Sequence, residues 1–288
     1  MAGILFRARP RHATHHRVSR RPIAKSAAAG AAMLCAGIAL AQEEANNGQD
    51  PTRPVTRIDL RYQFQNAPAA KNDNVHIFTP RADKPFSLGS GWTLATRIDL
   101  PLFVTDVVNP DNPAGQDHFG MGDVLIQGLL IKTESKSFAW VVGAQAIFPT
   151  ASEDGMGAGK YRLVPTIAGR WSVPQLGAGA WFAGLVRYDF DIAGNDGRRH
   201  VSELQLAPIL NIPLPESWFV NLFPSSDIRY NFLDQRPGDT GKWFVPLNFL
   251  VGRLVNKTTV ASVEMGVPIV NDYKLYDFKI EARLGFFF

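Results

Sequence analysis

From Tyr276 to Phe288 every even position is apolar: Tyr276, Phe278, Ile280, Ala282, Leu284, Phe286 and Phe288. Asp277, Lys279, Glu281 and Arg283 stand between them. A period of two puts the apolar set on one face of an extended strand and the charges on the other. Strands of soluble proteins usually end after about 5–6 residues, whereas a strand tilted by about 45° needs about 9–11 residues to cross a bilayer. The closing segment is long enough to cross, with Ile280 toward lipid and Lys279 toward a wet interior. Inside hydrocarbon every backbone N–H and C=O has to be paired, so a sheet of such strands has to close on itself. The other reading, a buried edge strand of a soluble sandwich, is weakened by the opposite end of the chain.

Residues 1–41 contain no Asp or Glu. Arg7, Arg9, Arg11, Arg17, Arg20, Arg21 and Lys25 precede an Ala-rich apolar run from Ala27 to Ala41 that ends Ala39-Leu40-Ala41. This is the pattern of an export signal, with cleavage expected before Gln42. Cys35 leaves with it, so the mature chain has no thiol and no disulfide. The precursor has 30 Lys and Arg against 26 Asp and Glu; without the seven basic residues of the leader the balance is 23 against 26, a net of −3. The pI near 9.2 thus belongs to the precursor and is no argument for nucleic-acid binding. No stretch of residues 42–288 holds eighteen consecutive apolar residues, which excludes a helical membrane protein. The expected organisation is a cleaved signal peptide (1–41), a flexible periplasmic lead-in (42–54) and a β-barrel (55–288). The last strand, ending on Phe288 with Phe286 and Leu284 in register, resembles the closing strand of Gram-negative outer-membrane barrels. In that class the terminal aromatics, here Phe286 and Phe288, are the signal read by the barrel assembly machinery.

Alternation recurs along the chain. It predicts strands at 57–65, 92–100, 180–190, 202–212, 243–251, 259–267 and 276–288, with weaker ones at 74–81, 119–131, 137–148, 159–171 and 218–230. The connections alternate between long (66–73, 102–118, 150–158, 191–200, 231–241, 269–275) and short (82–87, 132–136, 173–178, 213–216, 254–257). Short periplasmic turns and longer outer loops are the habit of outer-membrane barrels. The fold class expected is therefore all-β: a transmembrane antiparallel up-and-down barrel of about twelve strands in the outer membrane, surrounded by lipid.

Little in the chain points to catalysis. Gly155-Met156-Gly157-Ala158-Gly159-Lys160 has Asp154 where a phosphate loop needs its first Gly, and Tyr161 where it needs Ser or Thr, so it reads as a loop tip. Beyond the leader the histidines are His76, His118 and His200, none with a second His at metal-ligand spacing. No strand pairs a Ser and a His in the register an esterase would need. No cofactor and no metal are expected. The informative residues are the charges with lumen parity: Arg57, Asp59, Arg61, Arg97, Asp99, Asp123, Arg162, Arg170, Arg187, Asp189, Glu203, Asp227, Arg229, Glu264, Lys279, Glu281 and Arg283. They allow two readings, a salt-bridge lattice stiffening a narrow barrel, or facing acidic and basic rails along a selective channel.

Residues 119–165 add a family resemblance. Phe119-Gly120-Met121-Gly122-Asp123 precedes Phe148-Pro149-Thr150-Ala151-Ser152, then Gly157-Ala158-Gly159-Lys160-Tyr161 and Pro165. This order resembles the outer-membrane family labelled "putative MetA-pathway of phenol degradation". The resemblance implies a β-barrel and uptake of aromatic or other poorly soluble compounds, with no catalytic residues. The expected function is a passive channel for small organic solutes, aromatic ones included. The rivals are a plugged structural or binding barrel acting through its outer loops and an outer-membrane lipid-modifying enzyme.

Overall fold

The first strand, β1 (Arg57–Asn66), pairs antiparallel on one edge with β2 (Asn74–Gly89) and on the other with the last, β15 (Phe278–Phe287). That double pairing closes the sheet. The computed structural model describes residues 46–66, 74–108 and 112–288; the expected export signal lies outside them. Between these strands run β3 (Trp92–Asp99), β4 (Leu102–Thr105), β5 (His118–Met121), β6 (Val124–Thr133), β7 (Phe138–Phe148), β8 (Lys160–Ser172) and β9 (Trp181–Gly194). After them come β10 (Ser202–Pro213), β11 (Trp218–Leu222), β12 (Ile228–Asn231), β13 (Trp243–Asn256) and β14 (Thr259–Asn271). β4 continues the line of β3 along β2, β5 leads into β6, and β12 resumes after β11 between β10 and β13. The fifteen segments therefore make a closed antiparallel barrel of twelve strands.

Several boundaries differ from the sequence reading. Residues 82–87, expected as a turn, lie inside β2, and the reversal falls at Ser90-Gly91, where φ is +51° and +76°. Two successive positive φ values are the signature of the hairpin turn that matches strand twist. Pro80 and Pro85 lie within this sixteen-residue strand, and each removes only one ladder donor from it. The long connection 102–118 contains β4. The expected strand 218–230 is interrupted: Phe223 takes φ +50° and its N–H donates to the Asn248 carbonyl at 2.8 Å, and the next four residues turn into the barrel.

Residues 46–54, expected as a loose lead-in, are tied to the barrel interior. Asp50 and Thr52 are buried, Asp50 pairs with Arg170 of β8 at 3.1 Å, Asn47 donates to Asn211 of β10 at 3.0 Å, and Arg57 donates to the Gly48 carbonyl. The polar composition that reads as looseness supplies these bonds.

The outer surface is an apolar band, with Ile58, Leu60 and Tyr62 of β1 exposed beside Ala282 and Leu284 of β15. Trp171, Trp218 and Trp243 lie exposed at strand ends, whereas Trp181 is buried inside. The interior is divided. Charged residues cover β1, β2, β14 and β15, while Ala95, Leu129, Ile131, Val141, Ala168, Trp181, Ala183, Leu185, Ala207 and Ile209, from β3 and β6 through β10, form one buried apolar cluster.

Candidate functional site: the barrel interior

Inward residues of adjacent strands meet in rows, because partners opposite one another in the ladder share a face. On β1 and its neighbours this creates a ladder of arginines and carboxylates. Arg57 Nε lies 2.6 Å from Asp83 and 3.5 Å from Asp59; Arg97 Nε reaches the other oxygen of Asp83 at 2.7 Å. Arg81 grips Asp99 with two bonds, 2.7 and 2.6 Å. Arg283 lies 3.1 Å from Asp59, which is fully buried, and Arg61 lies 3.0 Å from Glu281. Farther round, Arg162 pairs with Asp189 at 2.7 Å and Arg229 with Glu203 at 3.2 Å. Lys279 lies 2.6 Å from Glu264 and also contacts Asp227. Such paired, hydrogen-bonded charges are the form in which ions tolerate partial burial.

Asp123 does something else. Its carboxylate accepts the backbone N–H groups of Ala158, at 2.8 Å, and Ala151, at 3.3 Å. A side chain at Gly157 would collide with it. Thr150 ties in by donating to the Gly122 carbonyl and accepting from the Val124 N–H, both at 2.9 Å. The glycines, Asp123 and the Pro-Thr-Ala-Ser segment that carry the family resemblance are thus one knot joining β5, β6 and the loop before β8. Lys160, which follows, is buried with Asp191 at 4.0 Å.

Arg81, Asp83 and Asp50 escaped the sequence reading. The shared parity of Arg81 and Asp83 was a usable signal, masked by the two prolines of β2. Asp50 lies outside any alternating segment. Arg187 has lumen parity but, among the described residues, no carboxylate at ion-pair distance; its terminal nitrogen donates to Ser226 at 3.1 Å and its Nε is buried without a partner.

The rows enclose a cavity of about 250 Å³. It is lined by Arg57, Arg61, Arg97 and Arg187, by the carboxylates Asp50, Asp83, Glu264 and Glu281, and by the apolar Leu129, Val141, Leu185 and Ile209, with Ser226 also at its wall. At the loop end Tyr273 donates to Glu203. Burial, reinforced by that carboxylate, pushes the tyrosine hydroxyl up, so it keeps its proton. In the 232–242 connection, burial alone would raise the Asp239 carboxyl, but hydrogen bonds from Arg236 outweigh it and hold the group below the usual range.

The histidines sit beside single partners: His76 with Tyr62 at 2.8 Å, His118 with Glu153 at 3.0 Å and His200 with Asp191 at 2.8 Å. Among the described residues no group of three or more His, Cys, Asp or Glu side chains is placed to hold a metal ion. Phe286 is half-buried and Phe288 is exposed, its N–H bonded to the Thr56 carbonyl at 2.9 Å, while Phe287 packs inward against Phe219, Leu250 and Val260.

A closed antiparallel barrel of twelve strands, apolar outside and with a charged and apolar interior, has the architecture of a transmembrane β-barrel. Residues 66–208 match the family described as "Putative MetA-pathway of phenol degradation", the family that the motifs of residues 119–165 resemble. The fold is similar to the COG4313 outer membrane channel from Pseudomonas putida F1, with TM-score 0.64 at 13% identity, covering 82% of this chain and 97% of that one. It is also similar to the NanC porin, with TM-score 0.50 at 13% identity, covering 80% of this chain and 98% of that one. No curated protein matches in sequence.

Proposed function

We propose that this protein is an outer-membrane channel through which small organic solutes, aromatic ones included, diffuse down their gradient. The carrying observation is a cavity lined by both charged, arginine-rich side chains and apolar ones. Charge alone suits inorganic ions, and grease alone would bind without releasing; a path with both faces gives a partly apolar solute weak contacts along its way. A barrel has no energy source, so transport is passive. The long loops face the exterior, the short turns the periplasm, the outer apolar band sits in lipid, and Phe286 and Phe288 present the assembly signal. The family description agrees with aromatic solutes.

The test is single-channel conductance of the refolded protein in a planar bilayer, with and without phenol or benzoate. Discrete openings with solute-dependent transient block are expected. A folded barrel that never conducts and never takes up solute overturns the reading. That result favours a plugged barrel, for which the ingress of residues 46–54 and of the segment after Phe223 speaks. A lipid-hydrolysis assay addresses the enzymatic rival.

A further inference from the structure

The inner wall changes character between two neighbouring rows. In one, Ala168 of β8, Leu185 of β9 and Ala207 of β10 stand side by side, all buried and apolar. In the next, two residues along each strand, stand Thr166, Arg187 and Gln205. Arg187 therefore lies at the polar edge of the apolar wall, and both border the same cavity. The other inward cations around it are committed: Arg57 and Arg97 to Asp83, Arg81 to Asp99, Arg61 to Glu281 and Arg162 to Asp189. Arg187 has the Ser226 hydroxyl at 3.1 Å and an orphaned Nε.

A guanidinium that is left unpaired in a low-dielectric site pays desolvation without a compensating anion. Its planar fork is shaped for a carboxylate, which can take two parallel N–H bonds. The apolar row beside it can cover the ring or chain of the same molecule, because the two features are about one rung apart. We propose that Arg187 anchors the acidic group of an amphiphilic organic anion, such as an aromatic carboxylate, whose apolar body rests on Leu185, Ala168 and Ile209. Ser226, on the inward segment between β11 and β12, stands in for that anion when the site is empty.

The inference narrows the solute class of the channel reading and rests on it, but it is tested by binding rather than by flux. Refolded mature protein is titrated calorimetrically with benzoate, benzyl alcohol and acetate, each variant first checked for heat-modifiable, folded barrel. Benzoate is expected to bind roughly tenfold or more tighter than either other ligand, since each lacks one half of the match. Arg187→Gln is expected to weaken benzoate by roughly tenfold and to leave benzyl alcohol unchanged. Leu185→Thr is expected to weaken benzoate and benzyl alcohol and leave acetate alone, and it serves if Arg187→Gln does not fold. Benzoate binding indifferent to both substitutions, or acetate binding as tight as benzoate, overturns the proposal. Conductance with Arg187-independent benzoate binding sinks this inference and spares the channel; tight Arg187-dependent binding without conductance does the reverse.

Discussion

Lys279 Nζ lies 2.6 Å from Glu264 across the last two strands, and the same ammonium reaches Asp227 on the segment that turns inward after β11. One buried cation thus ties β14, β15 and the inward segment together. The parity of β15 alone suggests that Lys279→Glu should be mild, a change of lumen charge only. The structure argues otherwise, because the substitution would set three carboxylates against one another. We expect a loss of about 3–5 kcal/mol for breaking such a pair, against roughly 2–4 kcal/mol for Ile280→Arg on the lipid face. Urea midpoints of refolded barrels compare the two; an unchanged midpoint for Lys279→Glu would remove the tie.

Asp50 and Arg170 hold the chain ahead of β1 inside the barrel. Deleting residues 42–54 should widen the path at the short-turn end, and Asp50→Ala should act in the same direction more weakly. Single-channel conductance is the readout. Equal conductance in all three proteins would mean that the segment does not narrow the path.

The Arg236–Asp239 pair organises the 232–242 connection and bonds the Lys274 N–H and carbonyl. The Asp239 carboxyl is depressed in the folded protein. Its contribution is therefore complete above the ordinary carboxylate value of about 3.9 and is lost as pH falls through the depressed one. Acid titration by NMR should show the Arg236 and Lys274 amides shifting together below that value. In Asp239→Asn the acid-dependent step should be gone; a step that persists would assign it to another group.

Phe288 is 80% exposed, so its side chain contributes little to the folded wall. Deleting it should leave refolding in detergent nearly unchanged while lowering the amount inserted in cells. A parallel loss in both settings would give the residue a packing role and not a signalling one.

Cysteines at Asp154 and Asn195, both exposed at the long-loop end, should label from outside intact cells, and one at Ser135 should not. Asn112, by contrast, is buried, its side-chain amide donating to the Gln116 carbonyl at 2.7 Å, so a cysteine there should label poorly. Labelling at Ser135 with silence at the other two would invert the orientation.

The strand register shows what was legible beforehand. Alternation such as Ile58, Leu60, Tyr62 against Arg57, Asp59, Arg61 is imposed by the pleat, so the chain alone determined the barrel, its count of about twelve strands and the two faces of a strand such as β1. Turn positions were less legible where Pro85 or a local break such as Phe223 competed with the period. Only the tertiary structure decided which charges meet. Arg170 finds Asp50 some 120 residues away, Arg81 and Asp83 complete the ladder, and Arg187 is the cation left with a serine. The reason is geometric: a period of two assigns a face, but partners across a closed sheet depend on stagger and on inward loops, which no local pattern encodes.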